Sequence, residues 1–224
     1  MNHLMIISKH QKEPGMLRKF MLLCGILSSL LYIAMNIFIP MQYEGYNSAS
    51  QTVSELSAIG APTRQLWVSL GIVYTLLAAA FGWGVWQSAN LNHRLRFLGG
   101  LLIAYGLLGL FCPPMHIRGT GKSLTDTMHI IFAIVTVILM MLIIGFGAAS
   151  MSKRFRSYSI ATMVVLIVFG ILTGINGPRV GANLPTPWAG VWERINIGVF
   201  LLWIIVFATT LLRSHIQHQK TNNQ

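Results

Sequence analysis

Residues 112–131 read CPPMHIRGTGKSLTDTMHII. An apolar run precedes them, Phe97 to Cys112, and another follows, Thr125 to Ala149. Apolar runs of about 20 residues are long enough to cross a hydrocarbon core about 30 Å thick. Spanning segments must satisfy their own backbone hydrogen bonds, so these runs are read as helices rather than open strands. Pro113 and Pro114 end the first run, because proline cannot continue a helix. The stretch is therefore a polar connector at one membrane face. It holds His116, His129 and Asp126 in a chain with only five acidic residues.

Four more runs lie to either side: Phe20 to Pro40, Leu66 to Ser88, Ser159 to Ile175 and Val191 to Leu212. The fold class that follows is all-α, a polytopic membrane bundle of six transmembrane helices. Residues 1–19 form a basic N-terminal segment, 20–212 the transmembrane domain, and 213–224 a polar tail. The first run is longer than a signal-peptide core and lacks a small-residue cleavage site, so it is read as retained.

Composition agrees. The chain is 54% hydrophobic and 9% charged, which excludes a soluble domain. Its net charge of +11 is carried by short basic clusters between the apolar runs. Such clusters orient membrane proteins and meet anionic head groups, so membrane lipids are the expected partners and nucleic acid is not. Eleven of the sixteen basic residues fall on one side of the predicted topology. By the positive-inside rule that side is cytoplasmic, with both termini, and the chain is expected in the cell (inner) membrane. Glu44, Glu55, Asp126 and Glu193 all fall on the opposite side. Cys24 and Cys112 are expected at opposite faces, so no bridge joins them.

The first loop, residues 41–65, carries two capping-box spacings, Ser48 with Gln51 and Thr52 with Glu55. Val53, Leu56 and Ile59 recur every third residue. This predicts an amphipathic helix over residues 48–59, lying on the membrane surface over the bundle. The segment NGPRVGANLPTPWAG, residues 176–190, is read as a turn-rich loop. Gly170 with Gly174, Ala78 with Gly82 and Ala80 with Gly84 have the four-residue spacing that lets helices approach closely. Here it is expected to serve packing within one chain.

The candidate catalytic residues are Asp126, His129 and Glu193. Asp126 and His129 are three apart, so they share a helix face, and His116 can fold back to join them. Three readings stay open for this group: a helix cap, an acid–histidine pair, or a metal site. Asp126 and Ser123 fit a capping pattern, and a carboxylate is favoured in a first turn. Glu193 and Asn196 share a face at the start of the last run. The candidate ligand-binding residues are His116, Asn176, Arg194 and Glu55, with Glu55 expected to pair with Arg194 or Arg179. No metal and no cofactor is expected. P-loop, GxGxxG, CxxC, HExxH and GxSxG motifs are absent from the sequence. The middles of the runs hold almost no ionisable groups, which disfavours an ion pump.

Taken in order, SELSAIGAP (54–62), GLFCPP (109–114), TDTMHIIFA (125–133) and WERINIGVFLLWIIVFA (192–208) resemble the small six-helix prokaryotic membrane proteins grouped as domain of unknown function 998. The resemblance covers roughly residues 20 to 212. In that family the end of the third span often reads phenylalanine, proline, acid, whereas Cys112, Pro113 and Pro114 stand here. It implies a fold and no established activity. A fainter likeness is to the ceramidase and adiponectin-receptor superfamily, but those proteins typically have seven spans and an HxxxH pair, and this chain has neither. Two functions follow as expectations. One is an outward-facing polar pocket that binds or processes a lipid-like or small amphiphilic ligand. The other is a non-enzymatic transporter component or envelope accessory protein.

Overall fold

The computed structural model describes residues 14–120 and 123–222. The first part of the N-terminal segment, with Lys9, Lys12 and Glu13, lies outside the described residues, as does Lys122. Among the described residues there are six α-helices: α1 (Pro14–Phe38), α2 (Arg64–Ser88), α3 (His93–Leu110), α4 (Leu124–Ser150), α5 (Lys153–Gly181) and α6 (Ala189–Asn222). Five of them, all but α3, are long and apolar enough to cross a membrane. α3 has 18 residues, about 27 Å of helix, and its first turn carries His93, Arg94 and Arg96. It is held between α2 and α4.

The caps follow from local chemistry. Asn92 and Ser152 each accept from a backbone N–H one turn ahead, Leu95 at 3.1 Å and Phe155 at 3.4 Å. This satisfies amides that the first helical turn leaves unpaired.

Two sequence expectations need correction. The helix expected over 48–59 shrinks to a short 3-10 turn, Val53–Ser57. Asn47 builds a separate turn before it, its side chain accepting from Ala49 N and Ser50 N, an alternative that short polar side chains offer to helix. Val53 and Leu56 are buried, but Ile59 is 37% exposed. Its backbone instead pairs with the central connector, Ile59 N donating to Met115 O and Ile117 N to Ile59 O. Second, α5 does not stop before Pro178. It runs on to Gly181 and ends where Asn183 takes φ +56°. Asn183 N donates to Val180 O and Leu184 N to Arg179 O, the paired bonds of a Schellman stop. α6 continues to Asn222, so most of the stretch read as a polar tail is helical.

The helices pack in chain order, and α6 returns against α1 to close the ring. Short linkers join α2 to α3 and α4 to α5 at one end. Long loops lie at the other. Glycines set the closest approaches. A Cβ on Gly82 would strike the α3 backbone at Gly99 and Ile103, and one on Gly84 would strike Met21 and Leu22 of α1. Between lipid-bathed helices, association rests on such close contact rather than on hydrophobic expulsion from water.

The main apolar core lies toward the short-linker end. It gathers Leu22, Phe81, Leu98, Ile143, Ile144, Phe155, Phe200, Trp203 and Phe207 among others. Trp203 sits at the meeting of α4, α5 and α6. It stacks on Phe207 at 5.0 Å, donates from Nε1 to Ser159 Oγ at 2.9 Å, and lies where a Cβ on Gly147 would be. A smaller cluster at the long-loop end seats Val53 and Leu56 on Met35, Ile39 and Trp67.

Candidate functional site

The long loops form one interlocked cap. Its centre is Glu55, on the 3-10 turn, with a side chain 4% exposed. Arg118 of the central connector meets it with both arms of its fork, Nε to Oε1 at 2.5 Å and Nη2 to Oε2 at 2.9 Å. Glu55 also accepts from Thr52 N and the Thr52 hydroxyl, at 2.6 and 2.9 Å. The same guanidinium donates to Thr186 Oγ1 in the last loop and to Ser50 O in the first. A single arginine thus joins all three long loops. Such bidentate pairs are the strong, directional kind. Glu55 was expected to pair with Arg194 or Arg179, but both are engaged elsewhere.

Arg194, in the second turn of α6, donates to the carbonyls of Ser48, Gln51 and Gly190 from Nη1 and to Tyr46 Oη from Nη2. Tyr46 Oη in turn donates to Thr52 O at 2.7 Å. Burial pushes this phenol up to about 12, against the pull of Arg194, so it remains a neutral donor. Gly190 N and Val191 N donate to Ala49 O. A Cβ on Gly190 would run into the carbonyls of Gln51 and Ser48. The first loop is therefore laid directly on the start of α6. Arg179 is exposed and holds Pro185 O.

Glu193 faces the loop rather than lipid. It accepts from Val53 N at 2.5 Å and lies 3.5 Å from Ser54 Oγ. Asp126 is occupied by its own helix end. It accepts from Ser123 N, Ser123 Oγ and His116 N, at 2.9, 2.8 and 2.7 Å. The His116 ring lies 3.2 Å from the same carboxylate. Ser123, His116 and Asp126 look like a hydrolase set, but the geometry denies it. The serine and the acid both meet Nδ1 of His116, whereas a relay needs them on opposite ring nitrogens. The serine hydroxyl is turned to Asp126 as a cap.

His129 does not join Asp126 by a hydrogen bond. Its Nδ1 donates to Pro113 O at 2.7 Å, a carbonyl of the connector just past the end of α3. Cys112 Sγ lies 3.7 Å from the same nitrogen. With that proton committed to a carbonyl, Nδ1 cannot accept one from the thiol, so no Cys–His nucleophile is assembled. Asn176 is buried and donates to Leu172 O of its own helix. Among the described residues, no three His, Cys, Asp or Glu side chains gather as a metal-holding group.

Below the cap, the packing changes. From Ala189 to Leu201 no residue of α6 is exposed, yet most are only half-buried. Asn196 on this segment is 7% exposed, and its amide oxygen has no hydrogen-bond partner among the described residues. It faces Gly170 of α5, where a Cβ would lie 3.1 Å from its Nδ2. Gly177 of α5 is half-buried, and a Cβ there would meet nothing within 4 Å. On α4, no residue before Met140 is buried. The triangle of α4, α5 and α6 that Trp203 fills near the short-linker end is thus thinly packed near the long-loop end.

Arg118, Thr186, Tyr46 and Gly190 were not among the residues singled out from sequence. Only Arg118 carried a signal, as an arginine in the connector that also holds the histidines.

No curated protein matches the chain, and no solved structure matches it. A family model described as "Protein of unknown function (DUF998)" matches residues 26–210, and with most of its length so covered the chain belongs to that family.

Proposed function

We propose that this protein holds a lipid-like, amphiphilic ligand from the surrounding membrane in the space between α4, α5 and α6, beneath the loop cap. The observation that carries this reading is Asn196, nine-tenths buried, with an unpartnered amide oxygen on a side chain whose amide nitrogen faces Gly170. A buried polar atom without a partner costs roughly 1–3 kcal/mol, and a hydroxyl, ester or amide of a ligand would relieve that. Asn196 lies seven residues into α6, about 10 Å below its start, near the depth where lipid polar groups give way to chains. On this reading the long-loop end faces outward. Arg94, Arg96, Lys153, Arg154 and Arg156 lie in or beside the short linkers, which supports a cytoplasmic short-linker end in the cell membrane. The ionisable residues of the cap hold loops in place on this reading and perform no chemistry.

A second reading, a passive accessory protein of the envelope, is favoured by that same cap. Glu55, Asp126, Glu193, Arg118 and Arg194 are engaged with neighbouring side chains and with backbone. Native mass spectrometry separates the two. Protein extracted from its own membrane should carry lipid adducts through detergent exchange, and Gly170→Leu, which sets a bulky side chain against Asn196, should shed them. Equal retention by a folded Gly170→Leu protein leaves the accessory reading standing.

A further inference from the structure

Near the middle of the bundle, a cavity of about 10 Å³ is lined by Ser28 and Ser29 of α1, Tyr74 of α2, Tyr105 of α3, and apolar residues that include Phe81 and Phe200. We propose that it is a binding site for one water molecule, which links α1 to the α2–α3 pair inside the membrane. Three observations on separate residues lead there.

The volume admits one water and nothing larger, since a single molecule needs on the order of 10–15 Å³ by this measure. The tyrosines leave one donor over. Tyr74 Oη and Tyr105 Oη lie 2.7 Å apart, and either can be the donor. Each phenol has one proton, so whichever ring accepts keeps its own O–H without an acceptor. The serines supply the complement. Ser28 Oγ and Ser29 Oγ both donate to Gly25 O, at 3.0 and 2.9 Å. Their protons are used and their lone pairs remain. They are 3% and 0% exposed.

A water satisfies the whole set. It accepts from the spare tyrosine O–H and donates its two protons to the two serine oxygens. That makes three hydrogen bonds, the usual number for a buried water. No direct hydrogen bond joins these serines to these tyrosines among the described residues. The water is then the polar link between α1 and its neighbours at this depth, where an unmet O–H has no solvent to turn to.

The test pairs a structure with a double-mutant cycle on the full chain in detergent. A high-resolution map should show density within hydrogen-bond distance of a tyrosine Oη and of at least one of the two serine oxygens. Melting temperatures of Ser29→Ala, Tyr105→Phe and the double variant should be non-additive, with the double losing less than the two singles together, because both singles disable the same water. The two substitutions remove only an oxygen each, so folded protein is expected for all three. An empty cavity in the map, or strictly additive losses, overturns the proposal.

Discussion

Replacing Arg118 with methionine leaves Glu55 buried without its counter-charge. The loss can be placed from the structure. Removing one partner of a buried ion pair costs about 3–5 kcal/mol, because the remaining charge keeps its desolvation cost. Glu55 would retain the Thr52 amide and hydroxyl, both within 2.9 Å, which favours the low end, about 3 kcal/mol. Arg118 also gives up its bonds to Thr186 and Ser50. For a chain of this size, about 3 kcal/mol corresponds to a fall of roughly 6–12 °C in Tm. Thermal unfolding in detergent, followed by size-exclusion fluorescence, reads the shift. The double variant Arg118→Met with Glu55→Met should regain most of it, since removing both charges leaves nothing uncompensated. A single variant within about 1 °C of the parent, small even on that scale, would sink the assignment of this pair as the fastening of the cap. So would a double variant as damaged as the sum of the two singles.

Leu56→Asp should lower Tm more than any exposed substitution, because it sets a carboxylate in a fully buried apolar seat; an unchanged Tm would mean the loop does not rest on the bundle. Gly190→Val should detach the first loop from α6 at a cost of about 1–3 kcal/mol, read as faster thiol labelling of a cysteine placed at Ser48, and labelling as slow as in the parent would refute the docking. Cysteines at Ser48 and Gly119 should label from outside intact cells, and those at Asn90 and Ser152 only after permeabilisation; the opposite pattern reverses the orientation.

The helices were legible because their signal is local. An apolar run announces itself, and the structure moved its ends rather than its existence. The misread ends had competing local rules. At Pro178 the breaker rule pointed to a loop, but a proline near a helix end costs only one hydrogen bond, and the Asn183 motif supplies a better stop five residues later. In the first loop, threefold spacing suggested one long turn of helix. The Asn47 turn and the pairing of Ile59 with the connector cut it to five residues.

The cap was partly legible for a different reason. Its acids were few enough to name, but their partners lie far along the chain, Glu55 and Arg118 being 63 residues apart. Spacing cannot choose among several arginines on one face. Geometry chooses: Arg194 rises from a helix into a nest of loop carbonyls, whereas Arg118 reaches Glu55 across the bridge formed by Ile59 and His116. Asp126 and His129 show the limit of the shared-face rule. They are neighbours on the helix, yet the free N–H groups at its start turn Asp126 back toward the cap, and His129 is left to serve the Pro113 carbonyl of the connector.

These two results bear on each other. The central ionisable groups of the loop cap, Glu55, Arg118, Glu193 and Arg194, are engaged within it. The thin packing beneath it lies along α4 and α5, the two long helices least covered by the rest of the chain. On the proposed reading, a ligand reaches Asn196 sideways from the bilayer rather than down from water, and the cap works as a fixed roof. Loosening it through Arg118 should then lower thermal stability without changing which lipid is retained, while Gly170→Leu should empty the site in a protein whose cap is intact. The opposite pairing of effects, with retention following the cap and indifferent to Gly170, would place the ligand among the loops and not between the helices.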